Sequence, residues 1–313
     1  MLPQYATEQL IENIKRRCTV PTSQLTFTNA DFVQLANDEL QGEVVPLLMR
    51  TREEYFVDKV DLTVPGDKVL DIPAEAVGAK LRSVCYVSQT DPLILINLPR
   101  IDLDIVAGVG FFNMDTLAGF YVQDNSMHLY PPNSVPVGTN MRLYYYRRSL
   151  VLADNANYGQ ILSIDSGTNT VVLSFVPYDW EIGTQLNAVS SVPNFAITSS
   201  LATIAAVSAP SVILDSVEGL SVGDYVSGLG YSAVPQIPVE AHAYLAQKTA
   251  VLCLQSLGDR EGAAVAEKKA EALRDNMLVM VSQRVDGSVK KVVNPSGGLR
   301  FTGAGWRRGW GGY

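Results

Sequence analysis

The residues of this chain that could carry out acid–base or metal chemistry are few and widely spaced. There are only two histidines, His128 and His242. Neither has a cysteine or carboxylate nearby at the spacing of a metal site, so we interpret both as structural. Asp102 and Asp104 have the spacing of neighbours on one face of a strand, where they could form an acid–base or cation pair. We favour a solvated strand face for them.

Motifs for nucleotide binding and nucleophilic catalysis give no support for an enzyme. The sequence has no G-x-S-x-G elbow and no P-loop. The run 108–113 begins like a dinucleotide fingerprint but lacks its last glycine, and no strand–helix unit surrounds it. We therefore expect a protein that is not an enzyme and that binds no cofactor and no metal.

A cluster of rings and cations at 144–148 could stack on nucleic acid or sugar. Alternation along a strand would place Tyr144 and Tyr146 on one face and Tyr145 on the other. Strands favour tyrosine for packing reasons alone, so we favour a structural role for these residues.

The last 30 residues combine many glycines with large rings and cations. Such a glycine density cannot sustain a helix or build a core, and many glycine-rich ends are solubilising tails. Tryptophan and arginine, however, dominate the energetics of protein interfaces. We therefore predict that 285–313 docks on a partner, and the predicted partner-binding residues are Arg300, Phe301, Trp306, Arg307, Arg308, Trp310 and Tyr313.

The charge of the chain is unevenly distributed. The net charge is −8, and residues 282–313 contain six Lys or Arg and one Asp, a net +5, which leaves −13 for the rest. An acidic body with a basic end favours an acidic partner for that end. The acidic body repels phosphate, which argues against a DNA-binding body.

Cysteine usage and hydropathy indicate the compartment. Cys18, Cys85 and Cys253 form no CxxC pair, which fits a reducing, intracellular folding compartment. No run reaches the ~18 apolar residues of a membrane span, so we expect no contact with a membrane. Charged residues make up 18% of the chain, below the usual ~25%, so much of the surface is neutral or covered by a partner.

Helical patterns occupy both ends of the chain. Thr7 is predicted to cap a short helix, and Thr28 with Asp31 to form a capping box for a second helical stripe that continues to about residue 55. Pro46 lies inside this stripe and should kink it. Near the other end, a helix predicted from Pro238 uses apolar positions such as Val239, Ala243 and Leu257.

The second C-terminal helix is predicted to follow almost at once. Gly258 should end the first helix and Asp259 cap the second, which continues to about residue 283. Its predicted apolar face consists of Ala263, Ala266, Ala270, Leu273, Met277 and Val281.

Between the helical ends, the hydrophobic period changes from helical to two. Turn signals recur throughout 56–236, which predicts an all-β region of about 180 residues. A repeat of about 40 residues lies within it, since 170–173 resembles 211–214 and 182–183 resembles 222–223. Duplication and chance both explain this similarity.

The predicted fold class is α+β. The N- and C-terminal helices form one helical bundle, with a large all-β insertion and an extended C-terminal arm. The predicted divisions are 1–55 for the N-terminal helices, 56–236 for the insertion, 237–284 for the C-terminal helices and 285–313 for the arm.

This layout resembles the head-to-tail adaptor (connector, or head completion) proteins of tailed bacteriophages. The resemblance rests on the N-terminal segments 29–32 and 44–50, the closing helix pair and the aromatic, basic end. It covers about 60 N-terminal and 75 C-terminal residues, less than half of the chain, and it is one of architecture more than of strict motif. The small members of the family lack so large a β insertion.

The resemblance implies a virion protein of the phage neck, assembled in the host cytoplasm. The implied partners are other copies in a ring, usually a dodecamer, the portal protein, and the nozzle or tail-tube proteins of the tail. The C-terminal arm would dock into the portal, and DNA would pass through the channel without specific binding. The alternative function is a β-rich tail or receptor-binding component that binds carbohydrate through 144–146.

Overall fold

The computed structural model describes residues 6–19, 27–88, 94–102, 119–132, 134–190 and 197–282. It combines helices with β-sheets, so the α+β class is confirmed. The helices are α1 (Thr7–Arg17), α2 (Asn29–Glu39), a π-helical turn (Leu40–Val44), α3 (Val45–Thr51), α4 (Val239–Ser256) and α5 (Arg260–Val281). Within the described ranges, none of these helices is long and apolar enough to cross a membrane.

The helices from both ends of the chain share one hydrophobic core, with α4 at its centre. Gln247 of α4 accepts a hydrogen bond from Arg17 of α1 at 2.6 Å. The same side chain donates to the carbonyl oxygen of Ala266 in α5 at 3.2 Å. Helix α4 therefore lies between α1 and α5, and it also packs against α2.

The N-terminal helices begin and end differently from the predictions in two places. The capping box of Thr28 and Asp31 is confirmed. The prediction that Thr7 caps α1 is wrong, because Ala6 precedes the helix and the buried Thr7 hydroxyl donates to the carbonyl oxygen of Ala233 at 2.9 Å. Pro46 lies in the first turn of α3, where its missing N–H costs little. The helix is distorted just before Pro46, where it forms the π-helical turn. This wider turn relieves the clash of the proline ring with the carbonyl group four residues earlier.

In the C-terminal helix pair, the predicted end of α4, the predicted cap of α5 and the predicted apolar face of α5 are confirmed. The predicted apolar face of α4 is too narrow. Gly258 has φ +81°, and Asp259 accepts a bond from a backbone N–H of α5 at 2.8 Å. All six predicted apolar positions of α5 are buried or partly buried in the helical core. In α4, Tyr244 and Leu245 are buried although they lie outside the predicted stripe, while Leu257 is 43% exposed. A central helix is covered on nearly all sides, so it shows little amphipathic pattern.

A first β unit contains two sheets over one core. The four-stranded sheet has the order β1-β7-β3-β4, and the three-stranded sheet has the order β2-β6-β5. The strands are β1 (Val57–Thr63), β2 (Val69–Asp71), β3 (Ala76–Val87), β4 (Leu95–Leu98), β5 (Gly119–Gln123), β6 (Ser126–Tyr130) and β7 (Asn140–Arg147).

The second β unit is a closed barrel with its own core. Two short strands, β8 (Val151–Leu152) and β15 (Tyr231–Ser232), pair in parallel outside it. The barrel order is β10-β13-β12-β11-β14-β9, from strands β9 (Tyr158–Asp165), β10 (Thr170–Leu173), β11 (Gln185–Val189), β12 (Ile197–Ser208), β13 (Ser211–Leu214) and β14 (Tyr225–Gly228). Closure leaves the barrel no unpaired sheet edge.

The barrel consists of two three-strand units that are arranged alike, so its strand pairing follows the repeat in the sequence and extends over more residues. β9–β11 corresponds to β12–β14, and the equivalent strands β10 and β13 pair with each other, as do β11 and β14. The turns also correspond. The backbone N–H of Gly183 donates to Ile204 and that of Gly223 to Ile161, each at 2.8 Å. Trp180 and Leu220 occupy equivalent places and both pack into the barrel core.

The two corresponding turns lie at opposite ends of the barrel. Each turn follows one of the paired strands β10 and β13, which are antiparallel. The end of one strand therefore lies beside the start of the other. Ile182 and Val222 occupy equivalent positions in these turns and are 74% and 62% exposed.

Two single glycine-to-alanine variants should change stability in opposite directions, one through a steric clash in the barrel and one through helix propensity. A Cβ at Gly159, in β9, would lie 2.2 Å from the carbonyl oxygen of Phe175, so the backbone would have to move. We expect Gly159→Ala to destabilise the barrel by about 1–3 kcal/mol. Gly42, in the π-helical turn, has nothing within 4 Å of its Cβ position, so Gly42→Ala should stabilise by about 0.5–1 kcal/mol.

Urea unfolding would measure both changes in stability. Trp180 fluorescence would monitor the barrel, and far-ultraviolet circular dichroism would monitor the helices. Equal midpoints for Gly159→Ala and the wild-type chain would contradict the close approach of β9 to the residues after β10.

Candidate functional site

The predicted partner-binding residues lie outside the described residues. Arg300, Phe301, Trp306, Arg307, Arg308, Trp310 and Tyr313 all belong to 283–313. Their role stays a prediction, and the candidate sites below come from the described part of the chain.

Of the residues considered for catalysis, Asp102 and His128 both neighbour Tyr121, and His242 is buried in α4. Asp102 is exposed and borders a cavity of about 320 Å³ with Arg100 and Tyr121, while Asp104 lies outside the described residues. His128 stacks on Tyr121 with ring centroids 4.9 Å apart. Within the described ranges, no three His, Cys, Asp or Glu side chains are grouped to hold a metal ion.

The tyrosine cluster is divided between the two faces of β7. Tyr145 is buried and its hydroxyl donates to Glu75 at 3.2 Å. Tyr146 lies on the other face, buried, and donates to Glu53 at 2.7 Å. Burial, followed by the Glu53 hydrogen bond, raises the pKa of Tyr146 to about 12. Only Tyr144 of the three keeps an accessible ring, so these tyrosines do not form one continuous stacking platform.

A polar cluster lies where the π-helical turn meets α4 and α5. Lys248 of α4 contacts Glu43 of the π-helical turn at 3.0 Å and Glu267 of α5 at 3.1 Å. The hydroxyl of Tyr244 donates to the other carboxylate oxygen of Glu43. One ammonium group thus joins three helical segments.

The pKa values of the cluster follow from burial and pairing. Burial alone would raise the pKa of Glu43, but hydrogen bonds from Tyr244 and Lys248 outweigh it and lower that pKa. Burial opposes the charge of Lys248, yet the bonds to Glu43 and Glu267 raise its pKa. Glu39 lies close by, and burial raises the pKa of its carboxyl. Lys248 is thus paired with both Glu43 and Glu267. We interpret this pairing as structural.

The barrel carries only negative charge. Residues 158–232 contain no Lys, Arg or His and have six carboxylates. At the end of the barrel that holds Ile182, large apolar side chains face solvent beside the exposed Asp179 and Glu181. We call this surface the Ile182 end, and its apolar members are Phe175 (46% exposed), Tyr178 (92%), Ile182 (74%) and Leu229 (48%). Leu229 joins the turn through a hydrogen bond from its N–H to the carbonyl oxygen of Gln185.

A second exposed apolar surface lies on α5. Val265 and Val279 are 72% and 70% exposed, and with Ala272 they recur every seven residues on one side of the helix. Lys268 and Lys269, one turn after Val265, are exposed on the same side. Among the described residues, neither lysine forms an ion pair. We call this surface the outer face of α5.

Comparison of the chain with models of known protein families finds no match, and comparison with curated proteins finds none either.

The sequence analysis missed both exposed surfaces, although each left a signal. The absence of cations from 149–241 could have been counted. The heptad of Val265, Ala272 and Val279 lies on the side of α5 opposite its core stripe and could have been recognised as a second stripe. The pairing of Glu43 with Lys248 could not have been predicted from the sequence, since the two residues are 205 positions apart.

Removal of the cation from the polar cluster should destabilise the helices. Lys248→Met leaves Glu43 and Glu267 without their shared partner, and we expect a loss of about 1–3 kcal/mol after allowance for their partial exposure. Lys268→Met is the matched control, because that lysine is exposed on the neighbouring helix, and it should change stability by less than about 0.5 kcal/mol. Urea unfolding followed by circular dichroism measures both, and similar losses would show that the pairs contribute nothing.

The buried imidazole of His242 predicts a pH dependence of stability. Burial lowers its pKa from 6.5 to about 4, and its Nε2 lies 3.3 Å from the carbonyl oxygen of Ile237. Between these values the unfolded chain binds a proton that the folded chain does not, so stability falls as the pH falls from 6.5 to 4. The loss from this group should reach about 3 kcal/mol at pH 4.

His242→Gln should remove that part of the slope, measured by urea unfolding at several pH values. His128→Gln is the control and should keep the wild-type slope, because it leaves the buried imidazole in place. An unchanged slope in His242→Gln would contradict the assignment.

Proposed function

We propose that this chain is a structural virion protein that forms a ring between the portal and the tail of a bacteriophage. The observation that carries the proposal is that the N-terminal and C-terminal helices share one hydrophobic core. Arg17 bonds Gln247 across 230 residues, and Thr7 bonds Ala233 through both its N–H and its hydroxyl. This supports a helical bundle, 1–55 with 237–284, from which 56–236 extends as an insertion.

The C-terminal arm is the proposed contact with the portal protein. A net charge of +4 and two tryptophans in its last eight residues suit an acidic surface with pockets for rings. The segment follows α5 directly, so docking would attach the helical core to the portal. The tail-side partners, a nozzle or tail-tube protein, would meet a different surface.

The charge of the body supports a passive channel. The chain without its arm carries −12, and an acidic lining repels the phosphates of DNA. DNA would then pass through the ring without specific binding. The ring needs repeated contacts between identical subunits, and a low fraction of charged residues is compatible with such contacts.

Deletion of residues 296–313 should abolish docking on purified portal. We expect affinity to fall at least 10-fold, because aromatic and arginine anchors are commonly the energetic centre of an interface. Biolayer interferometry with immobilised portal measures the effect, and circular dichroism checks that the helices remain folded.

Paired charge removals within the arm distinguish docking from general attraction. Arg307→Gln with Arg308→Gln removes two charges beside Trp306 and Trp310, while Lys290→Gln with Lys291→Gln removes two charges away from the rings. The arginine pair should weaken binding several-fold more than the lysine pair. Equal losses would show that only net charge matters, and unchanged binding of the deletion would remove the docking role.

A further inference from the structure

Two of the three cysteines meet in the helical core. Cys18 directly follows α1, and Cys253 lies in α4. Their side chains are 3% and 0% exposed, and both belong to the hydrophobic core that the helices share. Both are free thiols in this structure. They come from opposite ends of the chain, so no local motif in the sequence joins them.

A hydrogen bond fixes the position of the Cys18 thiol on α4. Its Sγ donates to the carbonyl oxygen of Ala250 at 3.5 Å. In an α-helix each carbonyl group points towards the next turn, and each side chain leans back towards the helix N-terminus. The side chain of Cys253, three residues after Ala250, therefore leans towards the oxygen that Cys18 contacts. One turn before Ala250, Gln247 bonds Arg17 at 2.6 Å, which holds the end of α1 against the same part of α4.

The ionisation of the two thiols is linked. A hydrogen bond from Cys18 lowers the pKa of Cys253. The same contact with Cys253, followed by burial, raises the pKa of Cys18. The two sulfur atoms are thus hydrogen-bonding neighbours, and Cys253 ionises more readily than Cys18. A thiolate is the form of cysteine that attacks a disulfide.

We propose that Cys18 and Cys253 are a redox pair whose disulfide links α1 to α4 in an oxidising medium. The two thiols release two electrons and two protons, and a small-molecule disulfide such as oxidised glutathione accepts them. One S–S bond forms in the protein, one S–S bond of the reagent breaks, and the reagent leaves as two thiol molecules. The inference uses only the helical core and is independent of the proposed function.

The position of Cys18 gives the reagent a route to a buried thiol. Cys18 follows the last helical residue of α1, and helix ends open locally at a lower free energy than helix centres do. The same freedom lets the backbone adjust to the short distance that a disulfide requires. Protein thiols stay reduced in a reducing cytoplasm, so the pair would change state when the chain leaves that compartment.

The disulfide would stabilise the helical core. Both β units lie between the two cysteines in the chain, so the bond would close a loop that contains them. A link across so long a loop restricts the unfolded chain much more than the folded one. The first helix would then be held to α4 by a covalent bond as well as by packing.

Treatment of the folded, full-length chain with oxidised glutathione tests the pair. After unfolding and alkylation, intact-mass spectrometry should find one alkylated cysteine in place of three. Proteolysis should release a linked pair of peptides that contain Cys18 and Cys253. The oxidised chain should unfold at a urea concentration about 0.5–1 M higher, followed by far-ultraviolet circular dichroism. Dithiothreitol should reverse both the link and the shift.

The third cysteine supplies the matched control. Cys85 is also buried, but it lies in β3, where its Sγ is 3.9 Å from Oδ1 of Asn97. Cys85→Ser should therefore keep the link and the shift in the urea midpoint. Cys253→Ala should lose both, and so should Cys18→Ser. The second of these changes lies at a helix end, so it tests the pair even where a change inside α4 weakens the fold.

The outcomes decide the proposal in either direction. Three alkylated cysteines in the treated wild-type chain would overturn it. A glutathione adduct on Cys18 that Cys253 does not displace, or a link that includes Cys85, would overturn it as well. A link between Cys18 and Cys253 that leaves the urea midpoint unchanged would show that the bond does not hold α1 to α4, which would also contradict the proposal.

Discussion

The burial of α4 on nearly all sides is the constraint on which the rest of the structure depends. A central helix must satisfy every polar group within the core, because water is absent there. Gln247 does so with Arg17 and Ala266, and Thr249 with the carbonyl oxygen of Leu245. These bonds reach both α1 and α5, so the polar groups of α4 connect the first helix with the last one.

Hydrogen bonds from the N-terminal helical segments fix where the β units leave the helical core. Asn37 of α2 exchanges hydrogen bonds with the backbone of Leu152, whose N–H donates to its Oδ1 at 2.8 Å. Gln41 donates to the carbonyl oxygen of Ser149 at 2.8 Å. The segment between the two β units is therefore attached to the N-terminal helices. The return segment is attached through the bonds of Thr7 to Ala233, so both connections to the barrel are fixed by hydrogen bonds to helices.

Local signals in the sequence predicted local structure well. The capping box at Thr28, the break at Gly258 and the core stripe of α5 each depend on residues within one or two turns of a helix. The signal for α4 was weaker, because a helix covered on all sides has no polar face to reveal its orientation. The split of Tyr145 from Tyr146 followed from alternation, but their partners Glu75 and Glu53 lie 70 and 93 residues away. The order of strands in the barrel was likewise beyond local pattern.

The two similar halves of the barrel show that the core restricts the sequence more than the surface does. Positions that fill the core stay apolar in both halves, as Trp180 and Leu220 do, and both turns keep a glycine with positive φ, 90° at Gly183 and 96° at Gly223. An L side chain is rarely tolerated at such a φ. The rims of the two halves differ, since the turn with Ile182 carries an exposed aromatic ring that the turn with Val222 lacks. The folding constraints that the two turns share therefore explain the core side chain and the glycine, and they do not require the exposed ring of Tyr178.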